Sequence, residues 1–163
     1  MKLYKRKPGD MAPLRQSEPY MIKAKDGRYY VYATWSKGTQ LYSSDSLLDG
    51  WEYEGVCLDM TGQKDCWAPY VVEIEDMYYM YYSSRNEDCD AEHGQTLRVA
   101  VADSPHGPFR KVKDLLPPFY IDPHVVQTPS GLYLFYSNNE YQAERVGTVI
   151  NCDKMTDPFT IEG

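Results

Sequence analysis

Ile121-Asp122-Pro123-His124-Val125-Val126 opens an alternating apolar run behind an acid and a proline, and after a short turn Gly131-Leu132-Tyr133-Leu134-Phe135-Tyr136-Ser137 returns as an aromatic-rich run. The same pairing occurs twice more. Glu18-Pro19-Tyr20-Met21-Ile22 leads into Gly27-Arg28-Tyr29-Tyr30-Val31-Tyr32-Ala33-Thr34, and Trp67-Ala68-Pro69-Tyr70-Val71-Val72 leads into Met77-Tyr78-Tyr79-Met80-Tyr81-Tyr82-Ser83-Ser84. Pro19, Pro69 and Pro123 stand 50 and 54 residues apart. A unit repeated at that interval buries its apolar face only by stacking on its neighbours, which predicts a β-propeller.

Working outward, each repeat divides into short strands separated by turn residues. The first predicts strands over 20–24, 29–35, 39–44 and 51–58, with Asp26-Gly27 as a hairpin turn and 46–50 as a turn that has room for one helical twist. The second predicts 70–74, 77–84, 96–103 and 109–112, with turns at Glu75-Asp76 and over 104–109. The third predicts 125–128, 132–138 and 147–152, with 153–159 as a turn matching 104–109. No long stretch has a 3.6-residue apolar period, so the chain reads as all-β. The blades are expected over about 18–60, 67–113 and 121–163, behind an extended lead-in over 1–17 carrying Pro8 and Pro13. By the interval from Pro108 to Pro123, a fourth blade would open at about residue 173, so the sequence reads as cut off between repeats. Three blades leave the ring incomplete, with apolar faces open to a second copy, and a homo-oligomer through those faces is one expectation.

Composition narrows the partners. The 163 residues carry a formal net charge of -7 and include 16 tyrosines. The acidic balance argues against nucleic acid, and tyrosine suits both pleated strands and surfaces that stack on sugar rings while offering a hydroxyl. Cys57, Cys66, Cys89 and Cys152 lack metal or redox spacing, so buried reduced thiols are expected, with no metal and no cofactor. The acidic loop around Glu87-Asp88-Cys89-Asp90-Ala91-Glu92, which carries His93, lacks the order of a calcium loop. Neither a leader peptide nor a membrane-spanning run is visible, and a cytoplasmic location is expected.

In a propeller the first strand of each blade lines the central channel, so Glu18 and Asp122, both directly before a proline, are expected to face one pocket. Two carboxylates across a pocket are the usual equipment of glycoside hydrolysis, although an acid before proline also forms turns. Trp67 either stacks on a sugar or packs in the core. His124, by strand alternation on the side of Asp122, either bonds a substrate hydroxyl or serves structure. Arg85 and Asn138, which follow the second strands of blades two and three, either bind substrate or solvate loops.

These residues, together with Val99-Ala100-Val101-Ala102-Asp103-Ser104-Pro105 and Gly107-Pro108-Phe109, make the chain resemble glycoside hydrolase family 43 over about residues 17–160. The resemblance implies a five-bladed propeller glycosidase, inverting, of the α-L-arabinofuranosidase or β-xylosidase type, with an oligosaccharide or polysaccharide substrate. It implies that Glu18 stands where the family has an aspartate base, and that Asp122 tunes and orients the general acid. That acid is a glutamate opening the fourth blade, usually before glycine. Glu162-Gly163 has the dipeptide, but its spacing places it in the tail of blade three. A non-catalytic sugar-binding or self-assembling half-propeller is the alternative.

Overall fold

The structure, a computed structural model, describes residues 17–140 and 147–162, together with Gly9 and Glu144. Nearly all of the expected lead-in over 1–17 lies outside the described residues.

Among the described residues twelve strands form three antiparallel four-stranded units of consecutive strands, the first joined to the second by a single bridge between Trp35 and Cys66. The first holds β1 (Ser17–Lys23), β2 (Tyr29–Trp35), β3 (Gly38–Ser44) and β4 (Glu52–Val56). The second holds β5 (Gln63–Ile74), β6 (Met77–Asn86), β7 (Thr96–Ala102) and β8 (Arg110–Leu116), and the third holds β9 (Tyr120–Thr128), β10 (Gly131–Glu140), β11 (Gly147–Asp157) and β12 (Thr160–Ile161). No helix occurs among the described residues. The leading strand β5 lies beside both β1 and β9, so the sheets radiate from their first strands.

Two layers of side chains glue the sheets together. Tyr30, Tyr32 and Leu41 of the first sheet pack on Met80, Tyr82, Ala100 and Phe109 of the second. On the second sheet's other face Tyr70, Tyr81, Leu97 and Val99 pack on Val125, Leu134, Tyr136 and Met155 of the third. The middle sheet is thus covered on both sides, which is why β6 reads Met-Tyr-Tyr-Met-Tyr-Tyr without a polar alternate. A buried hydroxyl needs a partner, and these tyrosines find one across each junction. Tyr32 donates to the Pro105 carbonyl at 2.7 Å, Tyr70 to the Val125 carbonyl at 2.5 Å and Tyr81 to the Pro158 carbonyl at 2.9 Å.

Several elements differ from the sequence reading. Residues 153–157 continue β11 rather than turning, because Met155 is buried in the core and Asp153 accepts the Tyr136 hydroxyl at 2.6 Å; the turn falls at Pro158-Phe159. The segment 46–50 bends without a helical twist, held by Ser44, which accepts from the Ser46 N–H at 3.0 Å and donates to the Asp49 carbonyl at 2.6 Å. Strand β5 begins seven residues before Tyr70, because bulges let Pro69 sit inside a strand. Of the four thiols, Cys57 and Cys66 are buried and free, Cys89 is half-buried, and Cys152 is exposed on β11 rather than buried.

Candidate active site

A proline has no N–H to give a ladder, so a strand keeps one in its interior only by bulging around it. The chain does this identically three times. Glu18, Ala68 and Asp122, the residues before Pro19, Pro69 and Pro123, take φ of 48°, 46° and 55°. At each of them the register slips, on β1 between Ser17 and Tyr20, on β5 between Trp67 and Tyr70, and opposite β9 between Phe135 and Ser137 of β10. A side chain in the left-handed region costs about 1–2 kcal/mol. Strain repeated at three matched positions points to a site, since the bulge turns residues out of the ladder at the inner strands.

Two of the three positions carry carboxylates, and each meets a hydroxyl from the neighbouring strand. Thr34 of β2 donates to Glu18 Oε2 at 2.5 Å, and the Ala68 N–H reaches both Thr34 Oγ1 at 2.8 Å and Glu18 Oε2 at 3.2 Å. Asp122 bonds Ser137 of β10. Lost hydration, and after it the negative charge of Glu18, hold the Asp122 carboxyl above the ordinary range, while the Ser137 bond pulls it partly back. The carboxylates of two different sheets therefore share one electrostatic space. The middle sheet has Ala68 in place of an acid, and the matching hydroxyl, Ser83 Oγ, is buried without a hydrogen-bond partner among the described residues.

The residue after each proline is a ring, and the three rings meet. Tyr20 and Tyr70 lie 4.3 Å apart between centroids, Tyr70 and His124 4.3 Å, and Tyr20 and His124 6.3 Å. Loss of hydration lowers the pKa of His124 and favours its neutral imidazole. The alternation used to set His124 beside Asp122 is interrupted by the bulge at Pro123, and the stacking of His124 on Tyr70 is what fixes its ring. Neither Tyr20, Tyr70, Thr34 nor Ser137 stood out in the sequence reading, although each has a signal: a ring directly after the proline, or a hydroxyl closing the second run.

The remaining candidates are placed as follows. Trp67 is half-buried and meets Phe119 edge to face at 6.5 Å; Phe119 in turn lies 5.0 Å from His93. Arg85 is engaged by Asp65, through Nε at 3.0 Å and through Nη2, and donates from Nη1 to the Ala91 carbonyl at 3.1 Å. Asn138 sits half-buried on β10, paired in register with Tyr120 and Val149. Glu162 follows β12 and pairs with Lys154 at 3.1 Å, in the tail of the third sheet. In the acidic loop Asp90 is paired with Lys64 at 2.9 Å.

Residues 11–161 match the profile of Glycosyl hydrolases family 43. A probable arabinan endo-1,5-alpha-L-arabinosidase C of Aspergillus clavatus is 28% identical over 107 residues, 53% of this chain and 33% of that protein. A probable arabinan endo-1,5-alpha-L-arabinosidase B of Aspergillus fumigatus is 30% identical over 104 residues, 60% of this chain and 27% of that protein. Among solved structures, an endo-arabinase from Bacteroides thetaiotaomicron superposes with a TM-score of 0.77 at 26% identity, covering 92% of this chain and 54% of its own. A thermostable family-43 glycoside hydrolase superposes with a TM-score of 0.76 at 29% identity, covering 91% and 51%. The chain spans about half the length of these structures and about a third of the sequence relatives. With the profile running through all three sheets and their strained proline bulges, the chain belongs to glycosyl hydrolases family 43.

Proposed function

We propose that this chain carries the base and the acid-tuning carboxylate of an inverting glycosidase acting on α-L-arabinofuranosyl or β-D-xylosyl linkages of plant glycans. Its general acid is supplied from outside the described residues. One observation carries the reading: Asp122 feels the charge of Glu18 although the two stand on different sheets, each at a bulge before proline. In this reading Glu18, oriented by Thr34 and the Ala68 N–H, takes the proton of the attacking water. Asp122 raises the pKa of the incoming acid by its charge and holds its carboxyl in place. Trp67 and the Tyr20 and His124 rings form the walls on which the sugar rests, backed by the buried Tyr70. Arg85 acts through the loop it braces, and Asn138 lies at the site's margin. The family names of the relatives, arabinan endo-1,5-alpha-L-arabinosidases and an endo-arabinase, support arabinan-type substrates.

Asp122→Asn, introduced into the enzyme with its following blades, is expected to cut turnover of arabino- or xylo-oligosaccharides by about a hundredfold with unchanged circular dichroism. Unaltered turnover would remove Asp122 from the chemistry.

A second reading, a non-catalytic sugar-binding or self-assembling half-propeller, is favoured by the third sheet's outer face, where Phe135 and the 76% exposed Ile150 stand open. Self-association through that face predicts a dimeric mass by sedimentation, reverting to a monomer in Ile150→Lys. A monomeric mass in the unsubstituted chain rules it out.

A further inference from the structure

Arg98 stands on β7, in register with Tyr82 of β6 and Asp114 of β8, and shares with Tyr82 the face that the second sheet turns to the first. Its side chain is 1% exposed, so a full positive charge is held beneath the surface. A buried charge needs both a counter-ion and a partner for its N–H groups. Few are supplied here. Asn86 Oδ1 accepts from Nη2, but that amide is neutral. Asp114 is the one carboxylate paired with Arg98 among the described residues, and its Oδ1 lies 3.5 Å from Nε, long for a hydrogen bond. Lys111 takes the same oxygen at 2.9 Å, and Asp114 is itself 47% exposed. Nη1 is buried with no hydrogen-bond partner among the described residues. We infer that the Arg98 guanidinium is a binding site for a single halide ion, chloride in ordinary solution.

The balance of charge favours an anion over water. Arg98 and Lys111 share one carboxylate oxygen, which leaves one positive charge in excess. A water molecule satisfies an N–H but not the charge, whereas a halide satisfies both. Burial limits the size, since a guanidinium held this far below the surface suits a monatomic ion and not a sulfate, a phosphate or a carboxylate ligand. Asn86 and Asp114 are both exposed, so the ion reaches Arg98 by displacing a surface side chain rather than by parting the sheets. The site also bears on the junction of the first two sheets. Tyr82 feels the charge of Arg98 and donates to Gln63 Oε1 at 2.8 Å, and Gln63 in turn donates to the Asp59 carbonyl, just beyond β4, at 3.4 Å. A bound halide therefore stabilises the native fold by removing the cost of a bare charge beside that junction.

The test is thermal melting of the chain as sodium chloride replaces sodium gluconate at fixed ionic strength, which separates ion binding from screening. Tm is expected to rise by about 2–4 °C and then level off, as one saturable site requires. Arg98→Met, which keeps an apolar stem, is expected to lose the chloride dependence. Asp114→Asn, at an exposed position, removes the competing carboxylate and is expected to lower the chloride midpoint about fivefold. A wild-type Tm that ignores chloride, or a saturable dependence that survives in Arg98→Met, overturns the site. If Arg98→Met does not fold, Asp114→Asn decides: a lowered midpoint upholds the site, and an unchanged one overturns it.

Discussion

At the scale of single residues the three sheets perform a comparison on themselves. Thr34 and Ser137 hold carboxylates, whereas Ser83 holds nothing because Ala68 stands where its acid would be. Removing one partner of a made bond leaves the other unsatisfied, but removing an already unpartnered buried hydroxyl relieves a cost. Thr34→Val is therefore expected to lower stability by about 1–2 kcal/mol, and Ser83→Ala to be neutral or stabilising, as read by urea denaturation. Asp122 gives the pH dependence. Its carboxyl ionises later in the folded protein than in the unfolded chain, so its contribution to stability is greatest below the unfolded carboxylate range and is lost as pH rises through the folded pKa. Asp122→Asn removes that penalty. The variant should melt higher than wild type at pH 7, with the gap narrowing as the pH falls through the raised folded value toward about 4, where a free aspartate protonates, and closed below it.

At the scale of elements, turn geometry dominates. Glu75 and Asp76, joining β5 to β6, take φ of 49° and 67°, the conformation of a two-residue hairpin turn that favours Asn-Gly. Asp76 also pairs with Lys25, but that pair is exposed, and Lys25 keeps Glu73 at 2.8 Å. Relief of backbone strain should outweigh it. The double variant Glu75→Asn, Asp76→Gly is expected to raise Tm by about 2–4 °C in a calorimetric scan. A fall in Tm would show that the ion pair governs this hairpin.

At the scale of the molecule, the junctions between sheets decide stability. Phe109, fully buried, meets Tyr32 edge to face at 5.9 Å, and its backbone joins the first sheet through a 2.7 Å bond to the Cys57 carbonyl and a 2.9 Å bond from the Asp59 N–H. Phe109→Ala opens a cavity at this junction and is expected to cost about 3–5 kcal/mol. That is a large share of the roughly 5–15 kcal/mol that holds an ordinary domain, so the first two sheets should unfold together in denaturant. Separate transitions for the two would contradict a junction-controlled fold.

The repeat of proline, alternating run and aromatic run was enough to read an all-β propeller, because spacing and alternation are local properties of the chain. The same locality explains where the reading stopped. Met155 looked like part of a turn because its burial depends on a neighbouring sheet, and β5 was begun at Tyr70 because a proline inside a strand is tolerated only through a bulge that the sequence does not announce. The proximity of Glu18 and Asp122, some hundred residues apart, was expected from their matched places in the repeat. What the tertiary structure alone decided was their company. The hydroxyls from adjacent strands, the three rings that meet and the packing of His93 on Phe119 all arise from contacts between segments apart in sequence, where packing rather than local preference sets the geometry.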